Sequence, residues 1–278
     1  MKSIALGQYY PAQSPIHRLD ARVKVILATL YIVATFLCKR ADSFIALVLS
    51  AFLLILLSRV PLRVVMRAVR PILFIVMFTA VFNLFLTRGV GEPLWSWTVT
   101  PKWTIQLFEA GIYSAVFMAV RIVVLIVGTS IFLTYTTTPI SLTDALESLL
   151  SPLRIIRLPV HEFAMMMSIA LRFIPTLMEE TTKIMNAQKA RGVDFAHGSL
   201  VKRAKSLVPI LIPLFVSAFR RAEELATAME CRCYRGGKGR TKMRVPRLHI
   251  GDFFAVFLML VLGAGVILLN RYGIGYRM

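Results

Sequence analysis

Acidic residues are scarce in this sequence: 14 Asp and Glu stand against 33 Lys and Arg in 278 residues, a formal net charge of +19. They do not cluster in the apolar runs, which therefore lack the acidic or histidine group that a membrane-embedded enzyme needs. Cysteine is as sparse. Cys38, Cys231 and Cys233 cannot form a disulfide framework in a chain of this length, and the close pair lies in a basic stretch, so free thiols are expected. No cleavable leader is expected either, because MKSIALGQYYPAQ offers only a short apolar patch before polar and proline residues. Targeting is left to the membrane segments.

Catalytic and metal-site patterns are equally absent. His161-Glu162 would open an HExxH site, but the second histidine position is Met165. His17, His161, His197 and His249 fall on different segments, and Cys231-x-Cys233 has no second ligand pair at zinc-site spacing. RGGKGRT, residues 235 to 241, does not match the phosphate-loop spacing and follows no apolar strand. No Ser-His-Asp or Cys-His arrangement can be assigned. The chain reads as a non-enzyme with no cofactor.

What the sequence has in quantity is apolar residues, 57 % of the total, gathered into long runs. A spanning helix needs about 20 mainly apolar residues. Runs at about 20–38, 41–58, 70–88 and 109–138 meet that need, and a fifth runs from Phe253 to Leu269. The expected fold is an all-α polytopic membrane protein of about five spans. Its domains are a membrane domain over 1–138, an insert over 139–248, and a last span with tail over 249–278. Within the insert, Leu207 to Phe219 is apolar but short for a span, and it reads as buried core or an interfacial helix. The three tryptophans of GVGEPLWSWTVTPKW suit the headgroup region.

Charge sorting gives the orientation, because cytoplasmic segments carry the excess of Lys and Arg. With the N-terminus inside, residues 1–24, 58–70 and 139–248 hold 4, 4 and 18 basic residues, against 6 outside. The remaining one, Arg121, lies inside a span and needs a partner from another span. The net charge is then explained by an anionic bilayer and a cytosolic partner, and nucleic acid is not required.

The insert reads as long helices. Residues 163, 167, 170, 174, 177, 178, 181, 184 and 185, apolar apart from Thr181, mark one helical face, with a kink expected near Pro175. A second helix over about 199–234 carries Ala218, Ala222, Ala226 and Met229 on a small-residue face, with Arg220, Arg221, Glu223 and Glu224 around the rest. A shorter amphipathic stretch, SLTDALESLLSPL, precedes both. The first long helix ends in AQKARGV, and 41 positions after Arg191 a degraded copy, AMECRCYRGG, surrounds Arg232. Gly192 at a left-handed cap with Arg191 in the last turn accounts for one such ending. Two of them also suit a pair of arginine plugs for acidic grooves on a partner.

GQYYPAQSPIHRLDARVK, LPVHEFAMMMSIALRFIPTLMEE, KARGVDF, PLFVSAFRRAEELATAMECRCYRGG and the closing GRT together resemble the T component of energy-coupling factor transporters, EcfT, over nearly the whole chain. The resemblance implies an L-shaped helical protein in the bacterial cell membrane, N-terminus cytosolic. Its membrane helices would hold a substrate-binding S component, and its coupling helices would rest on two ABC-type ATPase subunits during uptake of vitamins or metal ions. It assigns Ala190, Arg191 and Gly192 to the first ATPase contact. Cys231, Arg232 and Cys233 form the second, with Met229, Glu230, Tyr234 and Asp194 in support. Cysteines replace the Ala and Gly of the second signature, which puts its tight reversal in question. LDAR stands where LDPR is usual, so Asp20 can still cap the first helix, without a proline at its first position. A self-sufficient permease is the alternative, but it should line several spans with polar groups, and these spans are mostly apolar.

Overall fold

The computed structural model describes residues 9–86, 95–100, 103–156, 158–195, 199–237 and 248–273. His197, GRT and the first eight residues lie outside them. The order is α1 (Ala21–Leu37), α2 (Ala41–Ser58), α3 (Leu62–Leu86), β1 (Trp95–Thr100), β2 (Trp103–Leu107) and α4 (Glu109–Thr129), which continues as a π-helical segment, Ser130–Tyr135. Then follow α5 (Pro139–Leu149), a 3-10 turn (Ser151–Ile156), α6 (Val160–Ala190), α7 (Leu200–Cys231) and α8 (Ile250–Tyr272). The fold is the all-helical one expected, apart from the β1–β2 hairpin. There Trp95 pairs with Leu107 and Trp97 with Ile105 in an antiparallel register, as alternating aromatic and β-branched residues favour. The tryptophan side chains lie outside the described residues.

The chain divides into two compact units, one of residues 1–145 with 246–278 and one of residues 146–245. Among the described residues four helices, all in the first unit, are long and apolar enough to cross a membrane: Ala41–Ser58, Leu62–Leu84, Glu109–Tyr135 and Ile250–Tyr272. The first expected span, α1, has 17 residues, the lower limit for spanning. Two polar clasps hold it to α8. At one end Asp20 caps α1 by accepting from the Arg22 N–H at 2.9 Å. Asp252, at the start of α8 and 2 % exposed, accepts the N–H of Asp20 at 2.9 Å and that of His249 at 2.7 Å. At the other end Asn270 donates to the Leu37 carbonyl at 2.6 Å and accepts from the Lys39 N–H at 3.1 Å and the Ser43 hydroxyl at 2.8 Å. The α1 and α8 helices therefore run parallel. From Asp252 to Asn270 the rise is about 27 Å, close to the roughly 30 Å of a hydrocarbon core. The chain segments before α1 and before α8 consequently lie on one side.

Between the clasps α1 sits in the middle of the bundle. The ring of Tyr31, 0 % exposed, lies so close to Gly128 of α4 that a Cβ there would come 2.0 Å from Cε1. One turn on, Phe132 meets the Tyr31 ring edge-on at 6.3 Å. Where the π-helical segment ends, the Phe132 carbonyl accepts the hydroxyls of Thr136 at 3.0 Å and Thr137 at 2.7 Å. The Thr136 carbonyl in turn accepts from the buried Lys24 ammonium at 2.7 Å. Arg121 finds the partner from another span that its position demands. It donates to the carbonyl of Cys38, the C-cap of α1, at 2.9 Å and lies 5.3 Å over the Phe44 ring. That places a cation at the negative end of the α1 dipole.

Two expectations need correction. The third span was expected from about residue 70, with Pro71 near its start. Its helix begins eight residues earlier, at Leu62, and Pro71 lies inside it. Pro61 is the actual boundary, its carbonyl accepting from the Val64 N–H at 2.8 Å. Apart from the buried Ile210, the apolar run Leu207 to Phe219 is not buried core. It forms part of α7, with Phe215 at 61 % and Phe219 at 72 % exposed.

The clasp at Asp252 can be tested directly. Asp252→Ala leaves two N–H groups without their acceptor, so the protein in detergent should unfold at lower temperature, by about 2–4 kcal/mol of stability. Asp252→Asn, which keeps one acceptor oxygen, should cost less. An unchanged melting temperature for the alanine variant would mean that the clasp does not hold α8 to α1.

Candidate functional site

The second unit is built on α6 and α7. The amphipathic pattern of 163, 167, 170, 174 and 178 does form one continuous helix, through Pro175, but none of its residues is buried. Phe163, Met167, Ile174 and Met178 are exposed, as are Leu211, Ile212, Phe215 and Phe219 of α7. Exposed apolar faces of this extent mark interaction surfaces.

Both helices end in the same backbone turn. At the end of α6, Arg191 is the C-cap and Gly192 has φ +86°. The Gly192 N–H bonds to the Lys189 carbonyl at 3.0 Å and the Val193 N–H to that of Gln188 at 3.1 Å. At the end of α7, Arg232 is the C-cap and Cys233 has φ +55°. The Cys233 N–H bonds to the Glu230 carbonyl at 2.8 Å and the Tyr234 N–H to that of Met229 at 3.1 Å. These are two Schellman turns, related position by position. The reversal that the lost glycine put in question is made at Cys233 itself, in a left-handed conformation that costs a residue with a Cβ about 1–2 kcal/mol. Arg191 and Arg232 are exposed, together with Ala190, Gly192, Cys231 and Cys233; Met229 and Tyr234 are half-buried, while Glu230 and Asp194 are exposed.

An ion pair joins the two helices. Arg221 of α7 donates to Glu180 of α6 at 2.9 Å, and the Ser217 hydroxyl and then the Arg221 guanidinium hold the Glu180 carboxyl below its usual range. This corrects the small-residue face. Ala222 and Ala226 are exposed, whereas Ser217, Ala218, Arg221 and Leu225 are partly covered, so the helices meet through a polar contact. Each terminal arginine lies eleven residues beyond its member of the pair, Arg191 after Glu180 and Arg232 after Arg221. That is about 16 Å along each helix.

The two ends differ in what surrounds them. A Cβ on Gly192 would meet nothing within 4 Å. The α7 end instead continues to Gly237, which presses on the His161 ring at the start of α6; a Cβ there would fall 2.5 Å from Cδ2 and 2.8 Å from Cγ. His161 is held from the other side by Glu147 of α5, Nδ1 to Oε1 at 3.0 Å. The histidine that fails the zinc pattern thus braces the second arginine turn. Glycine at 237 was the available signal, but only the folded chain shows what it must avoid.

Two measurements follow from these turns. Cys233→Gly should remove the left-handed cost and slow exchange of the Tyr234 amide about fivefold, while Gly192→Ala should speed exchange of the Val193 amide by a similar factor. Equal rates in all variants would show that neither turn is limited by its φ. At the brace, Gly237→Ala should lower stability in detergent by about 1–3 kcal/mol, and adding His161→Ala should recover most of it. Additive losses would mean that the two residues do not press on one another.

The comparisons agree with this architecture. Residues 12–243 match the family described as CbiQ, cobalt transport protein. The chain is 50 % identical over 262 residues to the energy-coupling factor transporter transmembrane protein EcfT of Clostridium kluyveri, covering 94 % of this chain and 95 % of the relative. To the protein of that name from Ruminiclostridium cellulolyticum it is 46 % identical over 270 residues, 97 % of this chain and 98 % of the other. To that of Bacillus subtilis it is 48 % identical over 244 residues, 88 % and 89 %. With apolar spans, an exposed helical pair and relatives aligned over nearly their whole length, this chain belongs to the CbiQ/EcfT family of transporter membrane components.

Proposed function

We propose that this protein is the non-enzymatic coupling subunit of an ABC-type energy-coupling factor importer for vitamins or other micronutrients. The observation that carries the reading is the matched pair of exposed arginine turns, each about 16 Å beyond the Glu180–Arg221 contact. Two equivalent contact points at the ends of one joined helix pair suit two similar partners. In this reading Arg191 and Arg232 each enter a groove of one ATPase subunit on charge-assisted hydrogen bonds. Ala190 and Cys231 are small enough to let the helix end approach closely. Gly192 and Cys233 turn the chain away behind the arginine, and Met229, Glu230, Tyr234 and Asp194 border the contacts.

The exposed apolar faces of α6 and α7 would grip a membrane-embedded S component. Closing and opening of the ATPases moves the arginine ends, and the Glu180–Arg221 pair obliges the two helices to respond together. Such a cycle needs two states with different contacts, and the ATPases supply the difference through bound nucleotide. The N-terminus and the α6–α7 unit face the cytosol, in keeping with the 26 basic residues that charge sorting assigns to that side.

The reading is tested by Arg191→Glu combined with Arg232→Glu. The double variant should insert in the membrane normally, lose the ATPase subunits during affinity purification in mild detergent, and reduce ATP-dependent uptake of radiolabelled vitamins to background. Each single variant should lower ATPase recovery about tenfold or more, the value of one charge-assisted bond. Full recovery of the ATPases with the double variant would sink the assignment.

A further inference from the structure

The membrane unit passes into the α6–α7 unit through α5, because the boundary between them falls between Ala145 and Leu146, inside that helix. The other crossing of the chain lies within residues 238–247, outside those described. The first end of α5 is fastened to the bundle. Thr138 stands at its start, Oγ1 accepting from the Ser141 N–H at 3.3 Å and the carbonyl from the Leu142 N–H at 2.9 Å. Just before it, the Thr136 and Thr137 hydroxyls bond to the Phe132 carbonyl, and the Lys24 ammonium bonds to the Thr136 carbonyl. The far end of α5 carries Glu147, 8 % exposed, whose Oε1 accepts from His161 Nδ1 at 3.0 Å.

The covalent route from α5 to α6 is a poor conductor of motion. It runs through the 3-10 turn Ser151–Ile156 and on to Pro159, and Ile155 is 88 % and Leu158 48 % exposed, so little packing steadies it. His161 bypasses that turn. Its ring bonds to Glu147 on one side and on the other meets the backbone of Gly237, where an added Cβ would fall 2.5 Å from Cδ2. Glycine has no side chain whose rotamer could absorb a displacement, so a shift of the chain at 237 reaches the ring directly. Gly237 is five residues past Arg232, on a segment turned at Cys233 and Gly236, with φ +55° and +87°. The Arg191 end is remote from this link. It lies thirty residues after His161 along α6, roughly 45 Å, and a Cβ on Gly192 would meet nothing within 4 Å.

We propose that His161 and Glu147 are positioning residues that carry ATPase-driven movement of the Arg232 end into α5, and so into the membrane unit. This builds on the coupling role proposed above and gives the two arginine contacts different work. Arg191 holds one ATPase subunit, whereas Arg232 both holds the other and drives the membrane helices. Breaking the link at His161 uncouples hydrolysis from transport without releasing the ATPases, because the turn that presents Arg232 is closed by its own bonds, from Cys233 to Glu230 and from Tyr234 to Met229. Loss of a merely structural histidine would lower ATPase recovery, hydrolysis and uptake together.

The test uses the full-length protein in complex with its ATPases. Purification in mild detergent gives melting temperature, ATPase recovery and ATP hydrolysis, and cells expressing the same variants give uptake of the radiolabelled vitamin that the wild type imports fastest. His161→Ala should keep recovery and hydrolysis within about twofold of wild type and lower uptake about tenfold. His161→Asn places an amide nitrogen where Nδ1 stands and an oxygen where Cδ2 stands, so it should restore uptake to within about threefold of wild type. Should the alanine variant fail to accumulate, His161→Leu, which fills the space of asparagine without a donor, carries the test and should lose uptake to the same degree. Undiminished uptake by a folded alanine or leucine variant overturns the proposal. So does uptake that falls only in step with recovery or hydrolysis, or an asparagine variant no better than leucine. A wild-type preparation without ATPases would defeat the coupling role itself, and this inference with it.

Discussion

The membrane bundle depends on how closely Tyr31 approaches Gly128. A ring wholly out of contact with solvent occupies the space where any other residue of α4 would place its side chain. That approach fixes α1 in the centre. A helix there can be short, since its neighbours shield it and its two ends are completed by Asp252 and Asn270 of α8. The π-helical turn after Gly128 follows from the same contact. It carries Phe132 onto the Tyr31 ring and leaves a carbonyl whose bonds come from Thr136 and Thr137. With the backbone satisfied in this way and Ile131, Phe132 and Tyr135 buried in the protein, an irregular turn is tolerated at membrane depth.

Much of this was legible in the sequence because membrane helices announce themselves by length and apolarity. Asp20 was readable as a cap, and Arg121 as a cation in need of a partner from another span. What hydropathy could not show is where a helix begins when its first turns are basic. Arg63, Arg67 and Arg70 lower the apparent apolarity, and Pro71 imitates a helix start, yet α3 runs unbroken from Leu62 because proline is tolerated in helices at a membrane. The hairpin at Trp95–Leu107 was missed for another reason. Its tryptophans read equally well as interfacial anchors, and composition does not separate the two.

At the helix ends position was legible in the sequence but conformation was not. AQKARG and ECRC share an arginine 41 residues apart, and both arginines fall at helix C-caps. Whether Cys233 could turn the chain depended on a left-handed conformation that no motif encodes, and the hydrogen bonds from Cys233 and Tyr234 show that it does. Spacing alone puts Arg221 off the small-residue face, among the charged residues around the rest of the helix. Glu180 and Ser217 draw it into the contact instead. Partnership between distant side chains is the class of information that periodicity lacks.

A helix of 31 residues with no buried side chain has a further consequence, one that concerns the life of the molecule before assembly. Little apolar area is removed from water to hold α6 in place, so local opening there is cheap compared with the membrane bundle. A copy without partners would therefore be more open to proteolysis along α6 than one whose apolar face is covered, since coverage opposes that opening by mass action.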